Sequence, residues 1–341
     1  MDTKAENIIS HLKTLMAIDS PSGYTFNIIK MLKEQVSALG LNNYLTNKGN
    51  LIIEAGDGEE AVGFCAHVDT LGLMVRSINA DGTLAITKVG GPIMPTLDGE
   101  YCKIYTRDNK VYGGTILSNS PAVHVFKDAS SRERNEESMC VRIDEVVKSK
   151  ADVLKLGIAS GDYIAYDPKT CITESGFIKS RFLDDKLSVA ILLEVMEAIA
   201  KKEIKLNKKV YFLISTYEEV GHGCAWIPSD IQKFIAVDMG CIGLDLNCSE
   251  YDVSICAKDS SGPYDYLLTN ELIEIAKQEN LSYAVDIYPF YGSDVSAALR
   301  GGNDIRGALI GPGVAASHGM ERSHIDACMN TYKLVCRYLS E

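Results

Sequence analysis

VYFLISTYEEVGHGCA, residues 210–225, is the stretch around which the rest of the chain is organised. Residues 210–216 are almost wholly apolar or β-branched, the pattern of a strand buried on both faces. Tyr217 then hands over to Glu218, Glu219, Val220, Gly221, His222 and Gly223. Neighbouring side chains on an extended strand point to opposite faces, so Glu218 and Glu219 share one site only if the chain turns there, which Gly221 and Gly223 permit. At the carboxyl end of a parallel strand, such a turn faces a ligand crevice. A glutamate pair by itself is more often a solvated loop, so its meaning depends on partners elsewhere.

Those partners lie at or just beyond other apolar runs: Ala66-His67-Val68-Asp69, Leu183-Asp184-Asp185, Val237-Asp238-Met239 and Ser317-His318. Taken singly each has an ordinary structural explanation, a satisfied polar histidine or, for Asp184, a cap on the helix that follows. Together with Glu218 and Glu219 they supply two imidazoles and several carboxylates. That mixture suits a hydrolytic pair of zinc, cobalt or manganese ions with one carboxylate bridging them. Residues two apart on a strand share a face, so Asp69 is expected to hold the His67 imidazole from behind.

Apolar residues at helical spacing predict helices at the amino terminus and over 25–39, separated by the turn Ser20-Pro21-Ser22-Gly23. Strands follow at 51–54 and 61–66. From 71 the pattern changes to short alternating strands broken by turn residues, with one helix at 150–156 between Ser149 and Gly157. The segment 127–138 has Ala129 as its one apolar residue and reads as an exposed loop. After 180 come a helix at 185–201, strands at 210–216, 234–238 and 253–257, helices at 264–278 and 293–299, a strand near 307–310 and a final helix from about 324. The expected fold class is α/β: a central, mostly parallel sheet flanked by helices, with an inserted small β-barrel. The expected domains are a catalytic unit of residues 1–70 and 173–341 and an inserted β-rich oligomerisation unit of residues 71–172.

With 341 residues, 34 basic against 46 acidic and a net charge of −12, the chain has a large core and no charge complementarity to nucleic acid or to an anionic membrane. No apolar run is long enough to span a bilayer and the first residues lack a signal-peptide pattern, so the expected location is the cytoplasm. The 10 cysteines show no C-x-x-C pair and read as free thiols, Cys224 and Cys241 near the acidic motifs included.

In the order and spacing of AHVD at Ala66, LDD at Leu183, YEEVG at Tyr217, AVDMG at Ala236, YGSD at Tyr291 and SHGMERSH at Ser317, almost the whole chain resembles the M42 family of dimetal aminopeptidases, which includes glutamyl aminopeptidases and the tetrahedral enzymes of archaea. The resemblance implies two divalent ions per subunit, zinc or cobalt, with manganese as a third option. It implies that His67 and Asp238 bind different metals together with Glu219 and His318, and that Asp184 bridges them. Glu218 would be the general base and Asp69 a catalytic support behind His67. The implied reaction is removal of the amino-terminal residue from short peptides by a metal-activated water, and the implied assembly is dimers built into a dodecamer. The 117 residues from His67 to Asp184 hold the β-rich insertion, whereas the related carboxypeptidases carry their extra domain after the fourth ligand. Thr70 stands where the family commonly has an acid, and Lys186 where it has an arginine. His222, His324 and Asp294 read as supporting residues. Arg306, Arg322 and Lys258 have no assigned place in the pocket, so a neutral, apolar first residue is expected. The alternatives are a related dimetal deacylase or carboxypeptidase, or a non-catalytic scaffold that kept the fold.

Overall fold

A computed structural model of the protein describes residues 3–340. The chain folds into two compact units, one formed by the chain up to Asp69 and from Lys169 onward, the other by Thr70–Pro168.

The first unit is built on a mixed sheet. Its centre is four parallel strands in the order Lys209–Ser215, Ala61–His67, Ile231–Val237 and Arg306–Val314. Leu51–Ala55 adds antiparallel on one side, and Val253–Asp259 adds antiparallel to Arg306–Val314 on the other. Burial on both faces explains the unbroken apolar runs: Phe64 and Phe212 are fully buried, their rings stacked 6.0 Å apart. The helix Leu183–Ala200 is apolar around most of its circumference, with 15 of its 18 residues buried, as befits a helix enclosed by the core.

Parallel pairing brings the carboxyl ends of these strands to one edge. His67 lies opposite Ser215, and Val237 opposite Ile310. A small second sheet joins Cys171–Ile172, Phe177–Ser180 and Glu321–His324, none of them predicted as a strand. These segments are two to four residues long, too short for a visible hydrophobic period. Their pairing also places Cys171–Ile172 with the first unit, so the second unit ends at Pro168 rather than at residue 172. Among the described residues, no helix is long and apolar enough to cross a membrane.

The second unit is a closed barrel of six strands in the order Gly72–Ile78, Leu84–Val89, Met139–Ile143, Val111–Ser118, Tyr101–Tyr105 and Tyr163–Tyr166. Leu73, Ile86, Ile104, Ile116, Val141 and Ile164 fill its interior. Closure pairs each strand on both sides, so the unit has no free strand edges of the kind that would template association.

Candidate metal centre

The glutamate turn is held by a carboxylate from the neighbouring strand. Beyond His67, the last residue of its strand, Asp69 is fully buried. Its carboxylate accepts the backbone N–H groups of Glu218 at 3.1 Å and Glu219 at 3.3 Å and the Ser22 hydroxyl at 2.5 Å. Glu218–Val220 form one turn of 3₁₀ helix, ended by Gly221 at φ 82°, a left-handed value that glycine adopts without strain. At Gly223 a Cβ would come within 2.3 Å of Asp294, whose carboxylate accepts the Cys224 N–H at 2.7 Å and the Ser215 hydroxyl. The glycines of the motif therefore serve a turn and a close approach.

Both glutamates of this turn reach the same cluster. Asp184 presents one oxygen to His67 Nε2 at 3.0 Å and the other to His318 Nε2 at 3.6 Å, a disposition suited to bridging. Glu219 Oε2 is also 3.6 Å from His318 Nε2, and Glu218 Oε2 is 3.7 Å from His67 Nε2. Ligand-type atoms of His67, Glu218 and Asp238 lie within 4.8 Å of one another, as do those of His67, Asp184 and Glu219. Asp184 and Asp185 depart from helical φ/ψ at the start of their helix, and their carboxylates diverge: Asp185 accepts the His67 N–H at 3.2 Å. Glu321 joins two arms of the site by accepting the N–H groups of Asp184 and His318, each at 3.1 Å. Asp238 accepts the Met239 N–H at 2.6 Å, while the Tyr291 hydroxyl donates to the Met239 carbonyl at 3.0 Å.

Crowded carboxylates at low exposure resist ionisation. Burial, with Asp184 adding to it, pushes the Asp238 carboxyl up to about 7, and burial with the same neighbour pushes Glu321 up to about 8. Glu218 and Glu219 are also raised, first by burial and next by Asp238 in one case and Asp184 in the other. Asp184 is the exception. Burial works against its charge, but hydrogen bonds from His318 and His67 outweigh that and hold it below the usual carboxylate range. The Glu219 side chain is only 3% exposed and its Oε1 is buried without a hydrogen-bond partner. An excess of buried oxygen donors, one of them orphaned, beside two imidazoles is the chemistry that divalent cations satisfy, so the residues present fit such ions.

All five expected ligands and both expected catalytic residues thus lie in one neighbourhood, but Asp69 acts differently from expectation. The group nearest His67 Nδ1 is its carbonyl, at 2.9 Å, with the carboxylate at 3.6 Å, because the carboxylate is turned towards the glutamate amides. His222 stacks on Tyr217 with ring centroids 5.0 Å apart, and His324 packs against Phe177 and Tyr251. Thr70 donates to the Leu71 carbonyl; Lys186 is buried and donates to the carbonyls of Leu15 and Ile18. Each of the two departures is thus satisfied by backbone carbonyls. The ten cysteines are free, and burial pushes the Cys224 thiol up to about 11, away from nucleophilic use. Sequence inspection missed Glu321 and Asp185, which accept backbone amides, Ser22, whose hydroxyl donates to the Asp69 carboxylate, and Arg300, which lines the pocket beside the cluster. Glu321 and Asp185 stood inside recognised motifs; Ser22 and Arg300 carried no signal.

The sequence pattern of the M42 glutamyl aminopeptidases matches residues 49–334. Over 340 residues the chain is 44% identical to YhfE of Bacillus subtilis (strain 168), a protein named as a candidate aminopeptidase, covering 99% of this chain and 98% of that one. Over 218 residues it is 25% identical to the glutamyl aminopeptidase of Lactococcus lactis subsp. cremoris (strain MG1363), covering 63% of this chain and 60% of that one. Among solved structures it resembles the TET1 peptidase of Pyrococcus horikoshii, described as able to assemble into a tetrahedron or a large octahedral shell, with a TM-score of 0.86, 24% identity and coverage of 98% and 99%. It likewise resembles the TET aminopeptidase of a Thaumarchaeota archaeon, with a TM-score of 0.89, 18% identity and coverage of 99% and 97%.

Proposed function

Because the chain belongs to the M42 glutamyl aminopeptidase family, a family of metal-using peptidases, we propose that it removes the amino-terminal residue from short peptides at this centre. The supporting observation is that His67, Asp184, Glu219, Asp238 and His318 meet in one cluster, in which the buried Glu219 Oε1 has no hydrogen-bond partner. These five residues would hold two divalent ions, of zinc, cobalt or manganese, with Asp184 shared. When bound, the ions supply Lewis acidity towards the scissile carbonyl and lower the pKa of the attacking water.

The chain's own part is proton handling and positioning. Glu218 is 15% exposed at its side chain, the more open of the two glutamates, and it lines the pocket. Its carboxylate takes the proton of the attacking water and returns it to the leaving amine. Asp69 fixes the turn that carries both glutamates, and Glu321 fixes the backbones of Asp184 and His318. The substrate's free amine binds at the same acidic centre. By analogy with the TET1 peptidase the chain assembles as a homo-oligomer, a dodecamer built from dimers; light scattering showing only monomer at micromolar concentration would exclude this.

The test of the activity is hydrolysis of Leu-Gly-Gly against its N-acetylated form, with zinc, cobalt or manganese supplied in turn. An aminopeptidase cleaves the free peptide and spares the acetylated one. Equal cleavage of both would move the activity to a deacylase or carboxypeptidase, and stoichiometric metal without any hydrolysis would indicate a scaffold.

A further inference from the structure

The cavity over the metal centre holds about 250 Å³ and is bounded by Glu218, Asp238, Phe290, Ser293, Arg300 and His318, among others. Such a volume suits about one residue and its immediate neighbour, smaller than a typical drug-sized pocket of about 300 Å³ or more. Arg300 is its only permanently charged cation among the described lining residues. It ends the short helix Asp294–Arg300, whose first residue braces the glutamate turn, so its Cα stands about 9 Å along the helix axis from that of Asp294 at about 1.5 Å per residue. An arginine in a last helical turn is commonly present for the helix dipole alone. Here Arg300, itself an exposed residue, lines the cavity, has no carboxylate partner among the described residues, and its guanidinium donates a single 3.3 Å hydrogen bond to the Ser261 hydroxyl.

The charge pattern gives that guanidinium a use. Asp184, Glu218, Glu219 and Asp238 line the same cavity, and two divalent ions would offset their four charges, leaving Arg300 as the unmatched charge. From this we propose that Arg300 is a specificity-determining residue that binds a substrate carboxylate. With the substrate amine and scissile bond at the metal centre, that carboxylate belongs either to the side chain of the first residue or to the carboxyl terminus of a dipeptide. The expectation of a neutral first residue rested on having no cation in the pocket, and Arg300 removes that premise. The inference rests on the aminopeptidase reading.

The experiment compares kcat/KM for two matched pairs in the metal-loaded protein. Glu- against Gln-p-nitroanilide varies only the side-chain carboxylate, and Leu-Gly against Leu-Gly-amide varies only the terminal one. In the unaltered protein at least one pair favours the acid tenfold or more. Arg300→Gln lowers that preference tenfold to a hundredfold, about 1.4–2.8 kcal/mol, while Arg300→Lys keeps part of it. The pair that responds identifies the carboxylate. Unchanged ratios for both pairs in an Arg300→Gln protein of normal metal content and melting temperature would overturn the proposal. If the unaltered protein cleaves none of the four substrates with any metal, the aminopeptidase reading has failed on its own. Calorimetric binding of glutamate against glutamine, and of Leu-Gly against Leu-Gly-amide, then decides: tighter binding of the acid in either pair that Arg300→Gln abolishes supports the role of Arg300, and equal binding within both pairs overturns it.

Discussion

Glu218 and Glu219 are expected to fail in different ways when each is changed to Gln. Their amides are held by the same Asp69 carboxylate, so damage to the turn would strike both alike, and any difference between the variants reports side-chain chemistry. Glu218→Gln keeps its shape but can no longer accept a proton. General-base catalysis contributes about 10²–10⁴-fold, so turnover should fall by that factor, about 2.7–5.4 kcal/mol in barrier, with metal retained. Glu219→Gln removes a charge and an oxygen donor whose side chain is only 3% exposed. Loss of a group behind a metal ligand weakens binding about 10–100-fold, and loss of a ligand itself should cost at least that. Activity of Glu219→Gln should then recover in excess metal, whereas that of Glu218→Gln should not. The assay is metal content by elemental analysis beside turnover at saturating substrate. Metal-free Glu218→Gln, or a metal-loaded form with near-normal turnover, would refute the assignment of the base.

Two further outcomes follow from the same geometry. Gly223→Ala places a methyl group 2.3 Å from Asp294 and should cost about 1–3 kcal/mol of stability, read as a lower melting temperature together with reduced turnover; unchanged values for both would show that the loop yields freely. The metal-free protein should lose stability between about pH 4 and pH 7. Asp238 rises from 3.8 to about 7 on folding, so its contribution is full below the lower value and is lost as pH climbs through the upper one. Added zinc or manganese should therefore raise the melting temperature more at pH 8 than at pH 5, because protons compete for the same oxygens; a gain independent of pH would contradict this.

The residues of the proposed centre could be picked out in the sequence because each proposed ligand stands at or just beyond an apolar run. A strand buried on both faces announces itself by unbroken hydrophobicity, and the residue that ends it stands at the sheet's edge, as His67 and Asp238 do. The same logic located the β-rich insertion, since alternating short strands look unlike the runs that flank them. Tertiary structure alone decided which atoms do the holding. Asp69 was expected to grip His67 with its carboxylate, yet the fold turns that group to the amides of Glu218 and Glu219, 149 and 150 residues away. Glu321 binds the amides of both Asp184 and His318, and Arg300 lines the cavity from the far end of a seven-residue helix. The small barrel expected from the alternating strands is present, but which of its six strands pair to close it was decided by packing. Hydrophobic periodicity records which face of an element is buried, whereas a hydrogen bond or a cavity wall depends on the register and direction of chain segments distant in sequence, which only packing fixes.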